Sequence, residues 1–499
     1  MTEAFRLVEP QDEAILADIF REIDDTYLRP HPFTDEAAGE IAHHVGRDIY
    51  ALLLEDGRAV AYGMLRGWDE GYRLPTLGIA VRTSLQGRGI GRRMMAKLQD
   101  VARERGCPVV RLKVHPDNTR ARLLYESLGY AYIGSERGEL VMVLDLLDAD
   151  PAARTARAPR ALEGRLLDVD APEWHAVLDA TPHDFYHLPG YVALCATQER
   201  GQACAVYVTD GDRALLLPLI LREVDGAAID ATSPYGYPGP LITGDGESFV
   251  RLALATARQV LLGAGVVTAF IRLHPLLNTQ LPRHFGLIVE HGDTVSIDLS
   301  RSKEELWSQL RQNHRRDIAR AARLGFAARM DETWENLETF KKLYRATMDR
   351  RGATAFYSFD DAYFASLREA LGARLHLCVV DRDGVVAAAG LFVVTGGIVE
   401  YHLSGSDEEL LHLQPLKIML SYVTTWAKER GCEVLHLGGG VGARDDSLLH
   451  FKLGFSPLRN PFSTLRMVLD LSTYHRLVRA RGPDLDPNDR SSFFPLYRR

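Results

Sequence analysis

The sequence predicts an α/β protein with mixed sheets, built as three successive units of about 150 residues each. Three observations lead there. Between residues 77 and 130 a strand, a glycine loop, a helix, a second strand and a second helix follow one another. Residues 148–164, DADPAARTARAPRALEG, then replace apolar periodicity with small residues, Pro and Arg, the composition of a linker. Beyond the linker the strand–loop–helix–strand order recurs, twice over. The units are expected at residues 1–147, 165–305 and 306–499.

In the first unit, residues 5–8 read as a strand, 12–23 as a helix and 27–33 as a loop with prolines. Residues 48–55 and 58–67 are strands joined by Asp56-Gly57, a hairpin dipeptide. Residues 78–81 end a strand, and Gln86-Gly87-Arg88-Gly89-Ile90-Gly91 follows as a loop. Met94, Met95, Leu98, Val101 and Ala102 then fall on one helical face. Residues 109–114 alternate as a strand. Asp117 is placed to cap the next helix and Gly129 to end it. Residues 138–146 close the unit.

The chemistry of this loop is anion binding. Gly87, Gly89 and Gly91 remove side chains, so backbone N–H groups can close around phosphate oxygens, and the helix behind them adds its positive end. Arg88, Arg92 and Arg93 add full charges. The spacing is G-x-G-x-G. It is not the dinucleotide pattern G-x-G-x-x-G, and no Walker lysine follows.

The block from 77 to 130 resembles the GNAT N-acetyltransferase superfamily, over roughly residues 1–147, and Gln86 to Gly91 fits its pyrophosphate motif (Q/R-x-x-G-x-G/A). The resemblance implies acetyl-CoA, or another acyl-CoA, as donor. Its pyrophosphate would lie on Arg88, Gly89 and Gly91, with Gln86, Gly87, Ile90 and Arg92 also in the cofactor site, and its pantetheine beside Ile79 and Val81. Tyr125, in LYESLGY, matches the tyrosine that protonates the leaving thiolate, and Asn118 an asparagine near the cofactor. The strand before the loop, LPTLGIAV, lacks the acid many relatives carry there, so Asp69, Glu70, His115 or a water chain remain as bases.

In the second half, residues 173–180, 249–263, 334–350, 360–370 and 413–429 read as helices. Residues 204–209 and 213–222 pair as strands, and so do 375–381 and 385–395 across Asp383-Gly384. Residues 268–273, 294–298, 399–404 and 434–437 read as further strands. HDFYHL (183–188) is aromatic-rich. SPYGYPGPL (233–241) is too rich in Pro and Gly for a helix or central strand, and reads as a shaped loop that can turn Tyr235 and Tyr237 towards a ligand. Ser302 caps a helix that leads into a run carrying Arg311, Arg315, Arg316, Arg320 and Arg323, either a solvated face or a grip for phosphate.

RQNHRRDIARAARLGF, EYHLSGS, HLGGGVG and DSLLHFKLGF resemble the Fem aminoacyltransferases and their acyltransferase relatives, over about residues 165–499. The resemblance implies a tandem pair of GNAT-like units, so that the whole chain is one N-terminal GNAT-like unit plus a Fem-like pair. It implies aminoacyl-tRNA as a co-substrate, with acyl-CoA or an acyl carrier as the alternative donor. It places Lys452 at the reaction centre, where an ammonium stabilises a developing oxyanion.

Composition bounds these readings. With 46% hydrophobic and 25% charged residues the chain is an ordinary globular one. A net charge of -8 argues against a surface that coats nucleic acid, though not against a local basic patch. Cys107, Cys195, Cys204, Cys378 and Cys432 are scattered, as free thiols in a reducing compartment are, and no metal site is expected. The first residues carry acids where a signal peptide needs bases, and no apolar run reaches the ~20 residues of a membrane span. A cytoplasmic enzyme acting on a small-molecule amine, such as an amino sugar, amino acid or muropeptide-like precursor, is the leading expectation. The alternatives are a single-activity acetyltransferase whose Fem-like half only binds substrate, a tRNA-dependent transferase with a vestigial first half, and a non-catalytic binding module.

Overall fold

Hairpin chemistry starts the first sheet. At Asp56-Gly57 the chain adopts φ of 47° and 78°, the left-handed pair that a tight hairpin turn needs. In the computed structural model the described residues are 3–27, 32–72, 74–146, 162–226, 228–244, 246–279, 281, 286–354, 357–482, 485 and 493–499. The loop expected at 27–33 and the linker at 148–164 fall largely outside them. The strands of the first sheet are β1 (Glu3–Leu7), β2 (Ile49–Glu55), β3 (Arg58–Arg66), β4 (Thr76–Val81), β5 (Val109–Val114), β6 (Ala131–Glu136) and β7 (Glu139–Asp145). They pair in the order β1-β2-β3-β4-β5-β7-β6.

One irregularity in this sheet positions the first site. β4 and β5 run parallel but share a single register pair, Thr76↔Arg111. Their outer partners β3 and β7 stay in register along the whole of each strand. Past Thr76 the two parallel strands diverge and leave a wedge whose backbone groups need another partner. Helix Ile90–Glu104 lies across β3, where a Cβ on Gly63 would stand 2.5 Å from Met94 Cε and 2.7 Å from Leu98 Cδ1. Gly63 therefore lets the helix settle onto the sheet.

The second sheet is continuous. Its strands are β8 (Glu163–Leu167), β9 (Gln202–Thr209), β10 (Ala214–Glu223), β11 (Ile229–Thr232), β12 (Leu241–Thr243), β13 (Val266–Arg272), β14 (Leu287–Asp298), β15 (Ala327–Met330), β16 (Leu375–Arg382), β17 (Val385–Thr395), β18 (Ile398–Ser406), β19 (Val434–Gly439) and β20 (Arg459–Val468). The order is β15-β16-β17-β18-β19-β14-β20-β13-β11-β10-β9-β8, with β12 on β10. Read inward from β8, the sequence β8-β9-β10-β11-β13-β20-β14 repeats the plan of the first sheet. Read inward from β15, β15-β16-β17-β18-β19-β14-β20 repeats it again. Each direction has a parallel pair at the fourth and fifth places, β11 with β13 and β18 with β19. The last two strands serve both readings, so each half-sheet is completed by a strand from the other. The division expected at 305/306 follows chain order, whereas the sheet is shared across it.

Several local readings need correction. The helix Asp35–Ala42, capped by Thr34, was not expected, nor were β6, β20 and the helix Leu471–Arg481. β14 begins at Leu287 and not at 294. The capping box of Ser302 and Glu305 is present, but its helix stops at Gln309 and a separate one, Gln312–Arg323, carries the arginines. Asn118, not Asp117, caps helix Thr119–Ser127. All the cysteines are free and buried. No helix among the described residues is long and apolar enough to cross a membrane. The first domain docks on the second half, and Tyr474, Leu477 and Val478 share a core with Leu112, Tyr125 and Tyr130.

β18 also meets helix Leu337–Arg351 closely, and a Cβ on Gly405 would stand 2.3 Å from the Leu343 carbonyl carbon and 2.4 Å from Tyr344 N. Backbone cannot yield as a side chain can. Gly405→Ala is expected to cost about 2–3 kcal/mol, read as a lower denaturation midpoint at unchanged m-value.

Candidate functional sites

The glycine loop forms as the sequence suggests, for a conformational reason. Gly87 and Gly89 have φ of 83° and 76°, and Gly89 is the N-cap of helix Ile90–Glu104. A Cβ on either would meet nothing within 4 Å, so open space lies beside the helix's free N–H groups. That is a cradle suited to a phosphate. Gly91 is packed differently: its Cβ position lies 3.4 Å from Ile79 Cδ1 and 3.8 Å from Val81 Cγ2. Ile79 and Val81 are half-buried along the wedge, and buried Ile90 anchors the helix start.

Charge around the loop differs from expectation. Arg88 is exposed there. Arg92 donates to Ser127 Oγ at 2.5 Å. Arg93 is drawn away to Glu3 and to Glu55, the latter at 2.6 Å, and does not serve the loop. Its place is taken by Arg120, which donates to Gln86 Oε1 at 2.7 Å. Nothing in linear spacing signalled Arg120. Asn118 Oδ1 accepts from Ala121 N at 3.1 Å as a helix cap, leaving its amide nitrogen for other use.

Tyr125 is buried, and burial pushes its phenol up to about 12. The three base candidates have different surroundings. Asp69 accepts from Arg47 N (2.7 Å) and Asp48 N (3.3 Å), which hold it below the usual carboxylate range. Glu70 faces Arg66 at 3.6 Å. His115 directly follows β5, at the open end of the wedge, with the Tyr27 ring 5.1 Å away.

The second site lies at the corresponding divergence in the large sheet. β18 and β19 share the register pairs Ile398↔Val434, Val399↔Leu435 and Glu400↔His436, and then part. Glu400 and His436 thus stand where the strands separate, both fully buried. His436 Nδ1 lies 2.8 and 2.9 Å from the two Glu400 oxygens. Asp184 and His274 come in from the other half-sheet, also buried, with His274 Nε2 at 3.1 Å from Asp184 Oδ2. Burial, the Asp184 carboxylate and its hydrogen bond raise Glu400 well above the usual range. Burial is the largest influence on Asp184 and works to raise it, but the bond and charge of His274, with the hydrogen bonds from Glu400 and Phe185 N, together leave it low.

Lys452 ends helix Ser447–Lys452 and donates to Gly439 O at 2.6 Å. Burial lowers it to about 8, against the opposing pull of Glu400 and Asp446. The shaped loop does turn Tyr237 inward: its ring is 5.4 Å from that of His436 and 5.6 Å from that of Tyr186. Gly236, at φ 102°, permits this, because a Cβ there would stand 2.0 Å from the Tyr186 ring.

The ligand atoms of Asp184, His274 and Glu400 lie within 4.8 Å of one another, a spacing a cation could use. However, His274 Nδ1 accepts from Leu276 N and Leu277 N, so its proton sits on Nε2 and points at Asp184. The set is closed by hydrogen bonds. Sequence reasoning missed Asp184, His274, Glu400 and His436 as a group, although HDFYHL, EYHLSGS and HLGGGVG each contain a member. The available signal was a charged or imidazole side chain at an inward strand position between apolar neighbours.

Comparison with known proteins agrees with this geometry. Residues 16–130 match the family model described as Acetyltransferase (GNAT) family, and residues 308–452 a second one, Acetyltransferase (GNAT) domain. Among solved structures, FemX is similar at 15% identity, covering 63% of this chain and 99% of its own, with a TM-score of 0.51. The ribosomal-protein-S18-alanine N-acetyltransferase from Escherichia coli is similar at 22% identity, covering 29% of this chain and 94% of its own, with a TM-score of 0.24. The PaiA N-acetyltransferase from Thermoplasma acidophilum, in complex with coenzyme A, is similar at 15% identity over 29% of this chain and 99% of its own, at 0.26. Two stretches of the chain thus match GNAT acetyltransferase models, and its second half shares the fold of FemX.

Gly89→Glu places a carboxylate at the phosphate cradle and a side chain on a left-handed backbone. Calorimetric titration with acetyl-CoA is expected to show at least 100-fold weaker binding, and unchanged affinity would remove the loop from the donor site.

Proposed function

We propose that the protein is a cytoplasmic N-acyltransferase with two reaction centres in three GNAT-like units. Residues 1–147 move an acetyl group from acetyl-CoA to a small-molecule amine. Residues 165–305 and 306–499 together move an acyl or aminoacyl group to an amine such as an amino sugar, amino acid or muropeptide-like precursor. The observation that carries this reading is the recurrence of one parallel-strand divergence with different chemistry at each. The first has the glycine loop and Tyr125. The second has Lys452 and a buried acid–imidazole cluster.

At the first centre, Gln86, Gly87, Arg88, Gly89, Ile90 and Gly91 hold the donor's pyrophosphate, with Arg120 beside them. Arg92 and Asn118 fix the ends of helix Thr119–Ser127, and Ile79 and Val81 line the pantetheine path. The amine attacks the thioester carbonyl and the thiolate leaves. A leaving thiolate whose thiol titrates at about 8.5 cannot take the proton fully from a phenol near 12 without an uphill step of roughly 5 kcal/mol. Tyr125 therefore acts by hydrogen-bonding the leaving sulfur, and the proton comes from the acylated amine. Tyr125→Phe should lower kcat about 10–100-fold and leave acetyl-CoA affinity unchanged. A kcat equal to wild type would make Tyr125 a packing residue.

At the second centre, the Lys452 ammonium stabilises the oxyanion. Helix Gln312–Arg323 supports a phosphorylated donor, because Arg316, Arg320 and Arg323 are exposed on it. Its first turn abuts the Lys452 helix, through His314 Nε2 to Phe451 O at 3.0 Å and Arg311 to His450 O at 3.3 Å. Aminoacyl-tRNA and acyl-CoA both offer such phosphates.

The deciding assay uses full-length protein with acetyl-CoA and with alanyl-tRNA, and glucosamine and lysine as amines. Gly89→Glu is expected to abolish acetylation by the first centre only, and Lys452→Ala transfer by the second only. One variant abolishing everything would reduce the protein to a single activity. Because Lys452 loses its charge as pH rises through about 8, second-centre turnover should fall above pH 8. In Lys452→Arg that fall should disappear.

A further inference from the structure

The cluster at the β18–β19 divergence contains more polar groups than oxyanion stabilisation by Lys452 requires. Its hydrogen bonds can be followed atom by atom. His274 Nδ1 is occupied by the Leu276 and Leu277 N–H groups, so Nε2–H donates to Asp184 Oδ2. Phe185 N donates to Asp184 Oδ1 at 2.6 Å. Asp184 is thus a carboxylate that also receives a hydrogen bond from Glu400, which only a protonated Glu400 can donate. Tyr186 reaches Glu400 Oε2 at 3.4 Å. A Glu400 that gives its proton to Asp184 offers the imidazole only an acceptor, so His436 donates from Nδ1. The chain of donors ends there. His436 Nε2 carries a lone pair, is buried, and has no hydrogen-bond partner among the described residues. The position that a Cβ would take on neighbouring Gly438 lies 3.3 Å from Lys452 Nζ and 3.8 Å from Tyr237 Oη.

We propose, resting on the second-centre reading above, that His436 Nε2 is the proton shuttle of that centre, aimed and held in its tautomer by the relay Glu400–Asp184–His274. The acceptor amine forms its bond to the acyl carbon, and one N–H proton passes to His436 Nε2. The Nδ1 proton moves to Glu400, and the Glu400 proton moves to Asp184. Collapse breaks the bond to the leaving group, which takes the electron pair. The relay then runs backwards and His436 delivers the proton to that leaving atom. Amine and acyl donor become amide and protonated carrier, and the protein returns to its starting state. Asp184 and His274 belong to one half-sheet and Glu400, His436 and Lys452 to the other, so the centre exists only when both are assembled.

Two measurements on the full-length protein test this. The first is side-chain ¹⁵N NMR of histidine-labelled protein, with His436→Gln to assign the signals. His436 is expected as the Nδ1–H tautomer with a bare Nε2. Glu400→Gln should preserve it, because the amide oxygen accepts from Nδ1 while the NH2 donates to Asp184. A proton found on Nε2 in the wild type overturns the proposal. The second is turnover with the donors and amines named above, in a Gly89→Glu background. His436→Gln should lower kcat at least 100-fold with KM within about threefold, and Glu400→Gln, which holds the tautomer but cannot pass the Nδ1 proton to Asp184, should lower kcat as well while KM stays within about threefold. Wild-type kcat in His436→Gln overturns the shuttle and leaves the two-centre reading standing. Wild-type protein that transfers nothing from either donor overturns the two-centre reading, and the shuttle with it, whatever the tautomer.

Discussion

The hydrogen-bond ladder between β14 and β20 is the constraint on which the second half depends. It runs from Leu287↔Arg466 to Val295↔Arg459 with one register shift, and it is the seam across which the two half-sheets become one. Each half-sheet alone would present an edge strand of unpaired N–H and C=O groups. Exchange of the final strands removes both edges. It also brings residues more than 200 positions apart, such as Tyr186 and Glu400, into contact around one reaction centre. In this half, strand exchange and assembly of the buried polar cluster are inseparable.

The two centres solve opposite electrostatic problems. The first leaves a gap of open space beside left-handed glycines and a helix start, and awaits anionic charge from outside. The second brings its own charges into a fully buried setting and must neutralise them there. One carboxylate, one ammonium and one neutral carboxylic acid meet that requirement, and burial alone would not allow two carboxylates to stay ionised together. An environment of this kind strengthens every dipole aimed at the reacting atoms.

Legibility in the sequence follows the range of the physics involved. The glycine loop, the Asp56-Gly57 and Asp383-Gly384 hairpins and the Ser302 capping box are local, and their residues predicted them. Lys452 was singled out from its short motif, and the structure buries it against Gly439 O. Arg93 was misassigned because ion pairing with Glu3 and Glu55 joins strands distant in sequence. Arg120 at the loop, and the assembly of Asp184, His274, Glu400 and His436, depend on tertiary contacts that no periodicity encodes. β14 was shortened because residues 287–293 are half-buried or exposed and include Gly292, and β20 was passed over because Arg459, Pro461 and Arg466 interrupt its apolar pattern.

The position of β20 in the chain, at Arg459–Val468, has a consequence for synthesis. Every strand of the first sheet lies before residue 146, so that sheet can be complete while most of the protein is still to be translated. The half-sheet that begins at β8 cannot close until β20 leaves the ribosome, near the end of the chain. Its core, rich in apolar residues, must wait with β13 uncovered on one side until β20 is made. A premature stop that spares every residue of the buried cluster but falls before Arg459 would still remove the strand that pairs with β13.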